Sequence, residues 1–286
     1  MWITFAVASA FFSGITAILS KVGTEDIGSN LATAVRTVVV FFFSWLMVLV
    51  AGGMEPLNKI APKTLIFLIL SGLATGASWL CYFRALKCGN VNKVAPIDKS
   101  STVITMILAF IFLNEKISPL KVVCIFLIGA GTYMMIEKRT EDKACCSSSD
   151  WLLWAVLSAV FAALTSILGK IGISDIDSYL GTAIRTSVVL VMAWLVVFIF
   201  GGIGECRKIN SKYLFYLIVS GVTTGLSWLC YYKALKEGPA SVVVPIDKLS
   251  ILVTIFFSYV FLKEKLTKKS LCGLVLLVAG TLMLLI

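Results

Sequence analysis

From Ser9 to Thr132 the chain is followed, 149 positions later and without a gap, by a second version of itself running from Ser158 to Thr281. Lys21 answers to Lys170, Arg36 to Arg185 and Trp45 to Trp194. The stretch SGLATGASWLCYFRALKCG (71–89) answers to SGVTTGLSWLCYYKALKEG (220–238). Repetition of this length restricts the fold to two copies of one structural unit packed together. Within each copy, apolar segments of roughly 18–22 residues, the length that carries a helix across a bilayer, follow one another almost without pause. They lack the in/out alternation of a barrel strand, so the spans are read as helices whose backbone polar groups are satisfied internally.

Five spans fit each copy: 2–20, 31–51, 64–87, 93–113 and 121–136, then 151–169, 180–200, 213–236, 242–262 and 270–286. The expected architecture is therefore an all-α integral membrane protein of ten transmembrane helices. Its parts are a first five-helix repeat (1–136), a polar linker EKRTEDKACCSSSD (137–150) and a second repeat (151–286). An odd number of crossings delivers the second copy upside down, so the repeats are expected to be inverted. Secondary transporters are commonly built this way, with the site near mid-membrane where the halves meet.

Composition bears this out and narrows the function. Of 286 residues, 59% are hydrophobic and only 14% charged, too few to cover a soluble domain of this size. The net charge of +10 sits mostly in short loops. There it suits the anionic lipids of the cytoplasmic leaflet, so no nucleic-acid partner is expected. The chain has no histidine, which excludes a His-ligated metal or a His-based nucleophilic dyad. The eight cysteines are scattered and read as small packed thiols, so neither metal nor cofactor is expected. Loops opposite the N-terminus carry more Lys and Arg than those on its own side, which points to termini outside.

The polar residues inside the spans carry the functional reading. VAPIDKSSTVIT (94–105) and VVPIDKLSILVT (243–254) each place a proline, an acid and a base at the head of an apolar run. Pro96 suits a first helical turn, and the helix dipole favours a carboxylate at Asp98 by roughly 0.3–1 kcal/mol. A charge at a helix centre costs about 2.5–3.5 kcal/mol, so Asp98 and Asp247 each call for a polar neighbour or water. Lys99 and Lys248 point about 100° away from them on a helix and cannot satisfy them well.

Below the acids run Ser101 and Thr105, and Ser250 and Thr254, at i+3 and i+7. This stripe either lines a cavity or bonds back to carbonyls four residues earlier. Trp79 and Tyr82, with their counterparts Trp228 and Tyr231, either shape a binding cavity or belong to the interfacial aromatic belt. Arg36 and Arg185 either pair with the acids or an anion, or snorkel to the interface. Glu115-Lys116 and Glu264-Lys265 read as loop charges.

These copies resemble the EamA domain of the drug/metabolite transporter superfamily. The resemblance rests on the small-residue third span running into YFRALKCGNVNKVAPID and YYKALKEGPASVVVPID, on FLNEK and FLKEK, and on the final GAGT and AGT. It implies a ten-helix carrier in the cytoplasmic membrane, often an exporter of amino acids or other small metabolites. It also implies a cavity lined by the third, fourth, eighth and ninth spans, and termini in the cytosol, against the charge bias. The expected function is thus alternating-access transport, with efflux as the direction, of a small polar or amphipathic metabolite. Protons are a candidate coupling ion, and the protein is expected to work as a monomer or homodimer. A lipid-carrier flippase on the same scaffold is the alternative, in which Arg36, Lys99, Arg185 and Lys248 would matter more than the acids. No enzymatic role is expected.

Overall fold

A computed structural model describes residues 1–23, 28–51, 60–88, 94, 97, 100–116, 118–135, 150–200, 210–262 and 267–285. Every extended element among them is a helix. The order is α1 (Trp2–Gly23), α2 (Ser29–Val50), α3 (Pro62–Cys88), α4 (Ser101–Phe112) and α5 (Pro119–Met134) in the first copy. The second copy has α6 (Asp150–Ile173), α7 (Ser178–Phe200), α8 (Ser211–Glu237), α9 (Ala240–Lys248), α10 (Ser250–Leu262) and α11 (Lys268–Met283).

Local chemistry sets several of these boundaries. Asn210 accepts the Lys212 N–H at 3.2 Å and Thr267 the Ser270 N–H at 3.2 Å, each capping a first turn. Pro119 stands at the start of α5, where its missing N–H costs nothing. Asn114, just past α4, takes φ 51°, a left-handed conformation that asparagine tolerates better than most residues.

Among the described residues, seven stretches are long and apolar enough to cross a bilayer, the last of them running from Ala240 to Phe257 through α9 and α10. Ser101–Phe112 and Pro119–Met134 are shorter apolar helices. One expected span is corrected in form. Residues 242–262 are two helices rather than one, parted at Leu249, whose N–H bonds to Ile246 O at 2.9 Å instead of four residues back. Pro245 within α9 supplies no N–H of its own, which weakens the helical ladder just before the break.

The surface is what lipid requires. Phe42, Phe126, Phe198 and Phe215 stand 63–77% exposed, while Ser9, Ser44, Ser71, Ser158, Ser220 and Thr186 are fully buried. Polar groups therefore line helix-to-helix seams, where each hydroxyl finds a carbonyl or another hydroxyl.

Those seams join the copies to each other. The most extensive contacts are α3 with α6 and α1 with α8, followed by α5 with α11 and α2 with α7. Contacts recur with the copies exchanged. Ser78 Oγ donates to Ser158 O at 3.0 Å, and Ser227 Oγ to Ser9 O at 3.1 Å. A Cβ at Gly72 would lie 2.7 Å from Val188 Cβ, and one at Gly221 lies 2.6 Å from Val39 Cβ. Only glycine permits so close an approach, and both copies use it.

The running senses can be read from such pairs. Ser71 and Ser78 meet Thr165 and Ser158, so α3 and α6 run in opposite directions. Gly72 and Gly76 meet Val188 and Met192, so α3 and α7 run together.

Candidate functional site

Where α3, α6, α7, α8 and α9 converge, Arg185 of α7 is buried, 3% exposed. It does not snorkel. Its Nε donates to Ser71 Oγ at 3.1 Å and its Nη2 to Thr75 Oγ1 at 2.7 Å. Both acceptors come from the other copy. Thr75 Oγ1 in turn donates to Ser71 O at 3.0 Å and Ser71 Oγ to Thr165 O at 2.7 Å, so the whole set is anchored on backbone. The guanidinium lies 5.0 Å from the ring centre of Trp228 and 4.7 Å from that of Tyr232, within cation–π range of both faces. Nη1 is buried and without a hydrogen-bond partner among the described residues. Among the described residues, Arg185 makes no ion pair.

Asp247 lies near the end of α9, one residue from the break. Ser9 of α1 donates to its Oδ1 at 2.6 Å, and Ser9 also sits 3.3 Å from Ser227 Oγ of α8. Asp247 and Arg185 both lie within electrostatic reach of Tyr231, whose hydroxyl bonds to Ser166 Oγ at 2.9 Å. The rings of Tyr231 and Tyr232 meet edge to face at 5.2 Å. A buried cation and a half-buried acid of the second copy thus flank a pair of tyrosines without an ion pair between them, each held by hydroxyls of the first copy.

The remaining sequence-derived candidates are distributed as follows. Trp228 is at the guanidinium, but Trp79 packs against Leu31, Ala34, Ala193 and Val197 between α2 and α7. Tyr82 packs with Ile97, Trp151 and Trp154 around Ala85, Val94 and Ala155. Ser101 and Thr105 are buried, and Thr105 Oγ1 donates to Ser101 O at 2.8 Å. Thr254 Oγ1 likewise donates to Ser250 O at 3.0 Å. Lys248 is half-buried. Arg36 is half-buried, and its Nη1 donates to Ser20 Oγ. Asp98 and Lys99 lie outside the described residues, as do Pro96 and Glu264-Lys265.

The expectation of a loop charge at Glu115 is overturned. Its carboxylate accepts the backbone N–H of Ala240 at 2.6 Å and of Ser241 at 3.1 Å, together with the Ser241 hydroxyl. Lys170 completes the group, 3.4 Å from Oε1 and donating to Gly238 O at 2.6 Å. The first N–H groups of α9 have no partner within their own helix and carry its positive end, so an acid seated there is well matched. The doublet Tyr231-Tyr232 was the visible trace of Tyr232, since its counterpart in the first copy is Phe83.

Comparison with known proteins fits this arrangement. The sequence matches the EamA-like transporter family over residues 1–137 and again over 149–286. An uncharacterized transporter in the cobO 3' region of Sinorhizobium sp is 42% identical over 134 residues, which are 95% of that protein and 47% of this chain. That relative thus has the length of one copy. The uncharacterized transporter YxxF of Bacillus subtilis is 23% identical over 239 residues, 83% of this chain and 74% of its own. A protein of known crystal structure shares the fold with a TM-score of 0.74 at 15% identity, over 99% of this chain and 96% of the other. Matched by the family along both copies and built of lipid-length helices, the chain belongs to the EamA-like transporter family and is an integral membrane transporter.

Proposed function

We propose that this protein is a secondary exporter of a small polar or amphipathic metabolite, working by alternating access between two inverted five-helix units. The solute sits between the copies, against Arg185, Trp228, Tyr231 and Asp247. The observation that carries this reading is the Arg185 guanidinium, buried at the seam with acceptors from the opposite copy and without an ion pair among the described residues. An ionised group is retained among membrane helices when function uses it.

Inversion is supported by running senses. Ser9 and Gly23 of α1 meet Ser227 and Leu217 of α8, while Gly221 and Gly225 of α8 meet Val39 and Phe43 of α2. Hence α1 opposes α8 and α8 accompanies α2. Trp45 bonds to Ser187 at 3.2 Å while Leu31 and Ala34 cluster with Ala193 and Val197, so α2 opposes α7. With α7 accompanying α3 and α3 opposing α6, the first helices of the two copies run in opposite senses. Ten crossings follow if α4, α5, α11 and the segment before α4 complete the count. By sequence, Asp98 and Trp79 are the first copy's counterparts of the site residues.

The deciding experiment is transport by the purified chain in liposomes, screened with a panel of labelled small metabolites under a pH gradient. Uptake of a solute that Asp247→Asn suppresses supports the reading; lipid scrambling with no solute flux would replace it.

A further inference from the structure

Arg36 and Arg185 occupy equivalent positions in the two copies, yet the surroundings of their Nη1 atoms differ. Arg36 Nη1 donates to Ser20 Oγ, a residue of α1. The position equivalent to Ser20 in the second copy is Gly169, which offers no hydroxyl. A Cβ there would lie 2.7 Å from Tyr232 Cε1 and 3.3 Å from its hydroxyl, so the tyrosine ring occupies the space a serine would need. The first copy has Phe83 in place of that tyrosine. The Arg185 nitrogen left without an acceptor is the one that Ser20 serves in Arg36. Two coordinated differences, Ser to Gly and Phe to Tyr, leave one nitrogen of a buried guanidinium without an acceptor while its other nitrogens stay fixed on Ser71 and Thr75.

An unmet donor on a buried cation is costly, and a buried charge wants a counter-charge. We infer that Arg185 Nη1 is the anchor for the carboxylate of a small monoanionic or zwitterionic solute. This inference rests on the central site proposed above and names the chemistry of what enters it. A monoanion fits better than a doubly charged phosphate, because a single guanidinium nitrogen lacks a partner. The Trp228 face, which already stacks on the guanidinium, extends the same wall for an apolar body. The first copy does not duplicate the anchor, since Arg36 has its acceptor in place.

The test uses the purified full chain in detergent, with sodium benzoate as the probe and benzamide as its uncharged isostere, chloride being held constant. Benzoate is expected to raise the unfolding temperature in a saturable way, whereas benzamide and inorganic phosphate leave it unchanged. Arg185→Gln should abolish the benzoate shift. Arg185→Lys, which keeps the charge but not the planar fork, should weaken affinity roughly tenfold or more. Arg36→Gln should weaken it less than either. Should the Gln variant not fold, the Lys variant decides.

Equal shifts from benzoate and benzamide, no shift from benzoate, or unchanged benzoate affinity in Arg185→Lys would each overturn the anchor. In the first case Nη1 holds no more than a water. Liposome uptake of neutral or cationic metabolites alongside such a result would leave the transport reading standing and remove only the anion site.

Discussion

The Glu115 carboxylate, from the segment after α4, sits 2.6 Å from the backbone N–H of Ala240, the first residue of α9. The two residues are 125 positions apart and belong to different copies, so the bond ties the head of the helix bearing Asp247 to the opposite unit. Replacing Glu115 by Ala removes the acceptor for two N–H groups and leaves Lys170 without its acid. A lost helix cap typically costs about 1–2 kcal/mol, and an ion-pair partner left behind in a poorly solvated place adds to that. Glu115→Ala should therefore lower the unfolding temperature by several degrees, and Glu115→Gln by less. A Glu115→Gln/Lys170→Met double mutant should recover part of the loss, which thermal unfolding in detergent would read as non-additivity.

The glycine seams offer a graded test of packing. At Gly76 and Gly225 a Cβ would fall 2.4 and 2.5 Å from Met192 and Phe43. Gly76→Ala and Gly225→Ala should each destabilise by roughly 1–3 kcal/mol through overpacking. Gly129, whose nearest neighbour Val103 lies at 3.5 Å, should accept alanine with little change. Equal effects at the three sites would mean that the seams adjust freely.

Asp247→Asn keeps an acceptor for Ser9 but removes the charge. Folding should survive, judged by gel filtration. Solute flux in liposomes should fall by about ten- to a hundredfold if a charge-assisted contact worth roughly 1.5–3 kcal/mol is lost. Ser9→Ala should reduce flux less, because it leaves the carboxylate in place.

Ala61 and Asn210 are equivalent positions, both exposed, just before α3 and α8. Single cysteines at these two points in a cysteine-free background should react with an impermeant maleimide from opposite faces of the membrane. Labelling from one face alone would show that the copies share an orientation.

The helical, lipid-immersed character was legible because hydropathy and span length act locally. The duplication was legible because it is written in residue identity. Asp247 stood out as an acid in an apolar run. What could not be read were relations between distant segments. Whether Arg185 snorkels or turns inward depends on Ser71 and Thr75, more than a hundred positions away. Glu115 looked like a loop charge because nothing near it in sequence announces Ala240. The break at Leu249 was masked by the apolar run on either side, although Pro245 hinted at it.

Because the most extensive helix contacts among the described residues join one copy to the other, each copy completes its packing against its mate. Joining them on one chain turns a search for a mate through the bilayer into a short tethered encounter. It also lifts a constraint that identical mates would impose, since a change on one side need no longer appear on its mirror. Ser20 and Gly169 have parted company on those terms.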